Sequence, residues 1–254
     1  MSNIESNHIA IITGGAQGLG LSIGRGLAMA GFRVALIDRN VASLRSAQES
    51  FLAEHVFTVA VDLRDINAPQ AIDEAVRAHW GAASVLVNNA GVASPKRNGK
   101  TAGILQLTAE EWDDVIDVNL SASFRMSRQF LPAMVEHGWG RVINIASLAG
   151  RSRSIIAGAC YMAAKAGLIG LTRSIASEFG PSGVTANCVA PGLIDTPMAA
   201  ARSKEANDEV IKQIPVRRMG KPNEVAAAVC YLASEEAGFV NGAVIDINGG
   251  VFMS

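Results

Sequence analysis

Seven short apolar runs rich in β-branched residues constrain this chain more than any other feature: His8 to Thr13, Arg33 to Asp38, Val56 to Val61, Val85 to Asn88, Arg141 to Ala146, Thr185 to Val189 and Ala243 to Ile247. Their apolar character is near-continuous instead of alternating, the pattern of strands covered on both faces. Amphipathic stretches of helical length lie between them. Leu19 to Ala30 brings Leu21, Ile23, Leu27 and Ala28 near one stripe, and Ala109 to His137 places Trp112, Val115, Ile116, Leu120 and Phe124 at three- and four-residue spacings. Parallel strands need crossover connections, and helices supply them. The alternation therefore predicts a single α/β domain over residues 1–254, a doubly wound parallel sheet of about seven strands flanked by helices on both faces. The irregular stretches Thr101 to Leu107 and Leu193 to Pro215 read as loops at the functional edge, the second with a helix expected over Met198 to Gln213.

Composition removes several function classes. Twenty-two Lys plus Arg against 23 Asp plus Glu leave a net charge of −1, with no basic excess to neutralise a phosphate backbone, so a nucleic-acid partner is not expected. Cys160, Cys188 and Cys230 form no C-x-x-C, are odd in number and read as small buried hydrophobes of a reducing compartment. The amino terminus has no basic and apolar segments of a secretory signal, and runs such as Ile9 to Ile12 fall far short of a membrane span; a cytoplasmic protein is expected. The four histidines, His8, His55, His79 and His137, have no ligand spacing, and no metal is expected.

In open parallel sheets the ligand crevice lies beyond the carboxyl ends of the strands. After the first run come Thr13, Gly14, Gly15, Ala16, Gln17, Gly18, Leu19 and Gly20, with helical periodicity immediately afterwards. Positions without side chains let backbone approach a pyrophosphate, and a helix amino terminus offers it unpaired N–H groups. The second run ends in Asp38, where a carboxylate can accept hydrogen bonds from an adenosine ribose and repel a 2′-phosphate. That favours NAD over NADP, although the adjacent Arg39 offers a cation to a 2′-phosphate and leaves NADP open. The competing reading of Asp38 is a cap for the helix starting near Val41. Asp62 and Leu63 end the third run and Asn88 to Gly91 the fourth, at the same edge. Ser147 follows the fifth. Tyr161 and Lys165 stand four apart, on one helix face, where an ammonium near a phenol is expected to lower its pKa towards the working range.

Thr13 to Gly20, Asp62, Asn88 to Gly91, Asn119, Ser147, Tyr161 to Lys165 and Pro191-Gly192, in this order, resemble the short-chain dehydrogenase/reductase family. The likeness is to the branch of 3-oxoacyl-(acyl-carrier-protein) reductases and related alcohol and sugar dehydrogenases, including Asp246 to Gly250. It implies a Rossmann-type fold and hydride transfer between a nicotinamide cofactor and a secondary alcohol or ketone. It implies Tyr161 as general acid/base, Ser147 on the same substrate oxygen, Lys165 on the nicotinamide ribose, and Asn119, mid-helix, holding a relay water. Gly14, Gln17, Gly18, Leu19, Asp38, Asp62, Leu63, Asn89, Tyr161, Lys165, Ile194 and Thr196 would contact the cofactor, Leu193 to Pro215 would form a lid, and the chain would be a homotetramer. The loop before Trp112 is longer than in the reductase branch and carries Lys96, Arg97 and Lys100, and NAD preference suits a catabolic dehydrogenase better than an acyl-carrier reductase. Lys96, Arg97, Arg151 and Arg153 are candidates for positive charge at the mouth of the site. A non-catalytic dinucleotide sensor and a nucleotide-fold methyltransferase are the competing classes: the sensor has no need of Asn119, Ser147, Tyr161 and Lys165 together, and the methyltransferase predicts no split between turnover and NAD binding in Tyr161→Phe.

Overall fold

The computed structural model describes residues 8–154 and 156–253. Residues 1–7, part of the segment read for a secretory signal, lie outside them. Along the chain the elements are β1 (Ile9–Thr13), α1 (Gly18–Met29), β2 (Arg33–Asp38), α2 (Val41–Gln48), β3 (Val56–Ala60), α3 (Ala68–His79), β4 (Val85–Asn88), β5 (Lys96–Arg97) and β6 (Lys100–Thr101). They continue with α4 (Ala109–Ile116), α5 (Ala122–Glu136), β7 (Gly140–Ile145), α6 (Ala159–Phe179), β8 (Val184–Pro191), α7 (Pro197–Ala200), α8 (Lys204–Ile211), α9 (Pro222–Ala233) and β9 (Val244–Ile247).

Seven strands form one parallel sheet in the order β3-β2-β1-β4-β7-β8-β9. Period-two side-chain direction divides each apolar run between two cores. Ala10, Ile12, Val34, Leu36, Val85, Val87, Ile143 and Ile145 pack with Ile23 and Leu27 of α1 and Val225, Val229 and Leu232 of α9. Ile9, Ile11, Ala35, Ile37, Leu86 and Val142 face the other way, onto Ile72 and Val76 of α3, Met126, Phe130 and Met134 of α5, and Ile175 of α6. Both faces are thus covered, as the near-continuous runs require. Strand order reverses between β1 and β4, and the crevice opens beyond their carboxyl ends.

Three expectations are corrected. The helix expected over Ala109 to His137 is interrupted: α4 and α5 are joined by a π-helical turn, Asp117–Ser121. The helix expected over Met198 to Gln213 is two, α7 and α8, because the Ser203 hydroxyl accepts from the Ala206 amide and starts a new helix. Cys160 and Cys188 are buried as expected, whereas Cys230 is partly exposed. The inserted loop forms the hairpin β5–β6, pinned by Thr101 Oγ1 donating to the Ile156 carbonyl at 2.9 Å.

Candidate active site

The glycine turn between β1 and α1 is built around Thr13 and Asn89. Thr13 Oγ1 accepts from the Asn89 and Ala90 amides, both at 3.0 Å, and Asn89 Nδ2 donates to the Thr13 and Gly14 carbonyls at 2.9 and 3.1 Å. Asn89 therefore spends its side-chain amide on shaping the turn. Gly14 and Gly18 take φ of +63° and +53°, a conformation side chains disfavour. A Cβ on Gly20 would fall on the Gly14 carbonyl and within 2.6 Å of Asn89 Nδ2. Gln17 stands at the N-cap of α1 without a side-chain cap, and the first turn holds no acidic residue. The helix amino terminus thus keeps its partial positive charge and lines the cleft with Gly18 and Leu19, a fit for an anionic diphosphate.

Asp38, at the end of β2, accepts from the Ala16 amide at 3.4 Å and the Asn40 amide at 3.1 Å. It joins strand to glycine turn and is not the helix cap of the competing reading: Asn40 caps α2 by accepting from the Ser43 amide. Arg39 leans away to Asp62, 3.7 Å distant. The Arg64 backbone amide, and then its guanidinium, hold the Asp62 carboxyl below the usual carboxylate range. Leu63 is buried, and its carbonyl accepts from Arg125.

At the other end of the cleft, Ser147 follows β7 and its hydroxyl accepts from the Ala149 amide at 3.1 Å. Tyr161 stands in the first turn of α6 and Lys165 one turn on, with Nζ 5.7 Å from the Tyr161 ring centroid. Lys165 is buried and donates to the Ile145 carbonyl at 2.8 Å. Burial pushes its ammonium down to about 8. Burial also pushes the Tyr161 phenol up, against a smaller downward pull from the neighbouring Ser147 hydroxyl. The expectation that the neighbouring ammonium lowers the phenol is thus corrected, since desolvation dominates both groups.

Asn119 occupies the middle of the π turn. Its Nδ2 donates to the Val115 carbonyl at 2.9 Å and to the Val92 carbonyl at 3.1 Å, satisfying a carbonyl at the helix irregularity and tying it to the loop after β4. Its Oδ1 is buried without a hydrogen-bond partner. A Cβ on Gly91 would lie 2.6 Å from that oxygen and 3.7 Å from Lys165 Nζ, so the missing side chain keeps both polar groups facing one space. Behind them, Asn88 Nδ2 donates to Asn144 Oδ1 and Asn144 Nδ2 to Thr172 Oγ1, each at 2.8 Å, fixing β4, β7 and α6 against one another.

One cleft of about 760 Å³ runs from Asp38 and Asp62 past Gly14, Gln17, Gly18, Leu19 and Asn89 to Ser147, Tyr161 and Lys165, with Asn119 buried behind Gly91 and not part of its lining. Ile194 and Thr196 line it as well; the Ile194 side chain is buried, and Thr196 Oγ1 caps α7 by accepting from the Ala199 amide at 3.4 Å. The model of the family described as enoyl-(acyl carrier protein) reductase matches residues 14–252. The chain is 38% identical over 249 residues to Nodulation protein G of Azospirillum brasilense, covering 97% of this chain and 98% of the relative. It is 36% identical over 247 residues to the 3-oxoacyl-(acyl-carrier-protein) reductase of Escherichia coli, covering 96% and 97%. A crystal structure of a 3-oxoacyl-(acyl-carrier protein) reductase with bound NAD from Brucella melitensis superposes with a TM-score of 0.90 at 34% identity, covering 98% of this chain and 93% of that one. The chain belongs to the short-chain dehydrogenase/reductase family.

This short-chain dehydrogenase/reductase is an NAD(P)-dependent oxidoreductase that transfers a hydride between a nicotinamide cofactor and a secondary alcohol or ketone. Two of the cations expected at its mouth are neutralised. Arg151 pairs with Asp246 at 3.0 Å beneath the Phe252 ring, and Arg97 is held by both carboxylate oxygens of Glu111, at 2.7 and 2.8 Å. Lys96 and Arg153 do line the cleft. So do Arg202 and Phe252, which carry no sequence signal: Arg202 lies in the break between α7 and α8, where the sequence predicts continuous helix, and no motif marks Phe252. Among the described residues no group of three or more His, Cys, Asp and Glu could hold a metal, and no helix is long and apolar enough to cross a membrane.

Proposed function

We propose that this chain is an NAD-preferring dehydrogenase of a secondary alcohol, with Asn119, Ser147, Tyr161 and Lys165 as its chemical residues. One observation carries the reading: a phenol lying over a buried lysine shares one cleft with the Ser147 hydroxyl and with an uncapped helix amino terminus. NAD, held by Gly14, Gln17, Gly18, Leu19, Asp38, Asp62, Leu63, Asn89, Ile194 and Thr196, supplies the hydride acceptor. The Ser147 hydroxyl hydrogen-bonds the substrate oxygen and Tyr161 exchanges a proton with it. Burial keeps Tyr161 protonated, the form that donates to a ketone. In the oxidative direction its proton passes by way of Lys165, whose pKa of about 8 lies near neutrality, to a water accepted by Asn119 Oδ1.

The preference for NAD is supported by Asp38, anchored to the glycine turn, and by Arg39 turning to Asp62. A fixed carboxylate repels a 2′-phosphate. We read the chain as one domain in which α7 and α8, within 193–215, act as the lid. We read it as a cytoplasmic homotetramer without nucleic-acid partners, supported by the exposed Trp112 and Phe124 of α4 and α5, the free cysteines and the net charge of −1. The second reading is a 3-oxoacyl-(acyl-carrier-protein) reductase, the activity in the name of the Escherichia coli relative. Initial rates with NAD and NADP on secondary alcohols, and with NADH and NADPH on 3-oxoacyl thioesters, separate the two. Tyr161→Phe abolishes turnover while leaving NAD binding intact. A variant that still turns over, or a strong NADP preference in the wild type, would contradict the corresponding part of the reading.

A further inference from the structure

The charges lining the cleft are segregated. Its carboxylates, Asp38 and Asp62, stand at the β2–β3 end, beside Arg39 and Arg64. The substrate end is lined by Lys96 of β5, Arg153 of the loop after Ser147 and Arg202 between α7 and α8, and no Asp or Glu lines it among the described residues. Among the described residues these three, unlike Arg97 and Arg151, have no carboxylate partner. Arg153 makes no hydrogen bond with the described residues. Lys96 Nζ donates to the Ala201 carbonyl at 3.2 Å, beside Arg202, and Arg202 Nη2 makes a 3.4 Å contact with the Ala206 carbonyl. Lys96 thus reaches from the hairpin to the lid segment that also carries Arg202.

Partial burial of Arg202 pushes its guanidinium below its ordinary value, and no carboxylate among the described residues offsets it. An anion bound at this end of the cleft supplies the missing counter-charge. Ile156, Met198, Val210 and Phe252 line the same cleft, with the small polar Ser94 and Ser154 among them. Carboxylate is the anion whose geometry a guanidinium matches with two parallel hydrogen bonds.

We propose that the substrate is an organic acid whose carboxylate is held by Arg153 and Arg202, with Lys96 reaching in from the hairpin, while its secondary hydroxyl or ketone faces Tyr161. This rests on the oxidoreductase reading and names the substrate class for it. The test is initial-rate kinetics with NAD on two matched pairs, 3-hydroxybutyrate with its methyl ester and gluconate with sorbitol, for the wild type, Arg153→Gln/Arg202→Gln and Lys96→Gln. The acid of at least one pair is expected to exceed its neutral partner at least tenfold in kcat/KM. The double variant should lose that acid about thirtyfold, chiefly through KM, and keep the neutral partner within twofold; Lys96→Gln should show a smaller selective loss. Added NaCl should slow the acid and spare the neutral compound. Preference for the neutral partner in both pairs, equal loss of acid and neutral compound, or preference for 3-hydroxybutyryl-CoA that survives the double variant overturns the proposal. If no panel alcohol is oxidised and no corresponding ketone reduced with either cofactor, the oxidoreductase reading itself fails and takes the proposal with it.

Discussion

Lys165→Met should make the enzyme more stable while removing its activity. Lys165 is buried among Ile145, Tyr161 and Cys188, and its pKa falls from an ordinary 10.5 to about 8 because burial disfavours the charge. That displacement corresponds to about 3 kcal/mol against the ammonium in the folded state at neutral pH. Methionine retains an unbranched apolar stem but gives up the bond to the Ile145 carbonyl, a loss of about 1 kcal/mol. The net expectation at pH 7 is about 2 kcal/mol in favour of the variant, or about 4–8 °C in Tm for a domain of this size. The pH dependence gives the decisive sign. Unfolded Lys165 holds its proton up to about 10.5 whereas the folded residue releases it near 8, so the unfolded state binds more protons in that window and wild-type stability rises with pH through it. The advantage of the variant should therefore shrink from pH 8 and vanish by about 10.5. Cys188 and Cys230, pushed up to about 11 by burial, lower stability as pH rises from about 9 in both proteins; Cys230 cancels in the difference, whereas Cys188 interacts with Lys165, so a Cys188→Ala background is used for both proteins. Urea unfolding of the cofactor-free proteins at matched concentration, at pH 7 and 10.5, measures it. A variant no more stable than wild type at pH 7, or an advantage undiminished at pH 10.5, would refute the desolvation argument.

Three further substitutions probe the same site. Asn119→Ala leaves the Val115 and Val92 carbonyls without their side-chain donor; about 2 kcal/mol of stability and most of kcat should be lost, measured by urea unfolding and initial rates. Gly91→Ala puts a methyl group 2.6 Å from Asn119 Oδ1, so kcat should fall at least tenfold with NAD affinity little changed, by single-turnover rates and fluorescence titration. Arg151→Ala strands the Asp246 carboxylate, 82% covered, and should cost about 2–3 kcal/mol, whereas exposed Arg153→Ala should stay within about 0.5 kcal/mol in the same unfolding assay.

What the sequence revealed and what it hid divide along the range of the interactions. The seven strands, the glycine turn and the spacing of Tyr161 and Lys165 were legible because each is written in contiguous residues. The π turn at Asn119 was not, since one extra residue in a helical turn barely disturbs a three- and four-residue apolar spacing. Nor was the split at Ser203, where alanines and charged residues suit either one helix or two. Arg151 and Arg153 look alike in the chain, yet one is neutralised by Asp246, 95 residues away, while the other lines the cleft with no ion-pair partner among the described residues. The same holds for the phenol. Four-residue spacing correctly placed a lysine beneath Tyr161, but the direction of the pKa depends on how much protein surrounds both, and that is fixed by Ser147, Ile145 and the sheet behind them. If the chemistry needs an ionisable lysine near neutrality, the burial that destabilises it is also what tunes it. Stability lost at Lys165 and reactivity gained there then have a single cause, and no variant of that residue should recover one without forfeiting the other.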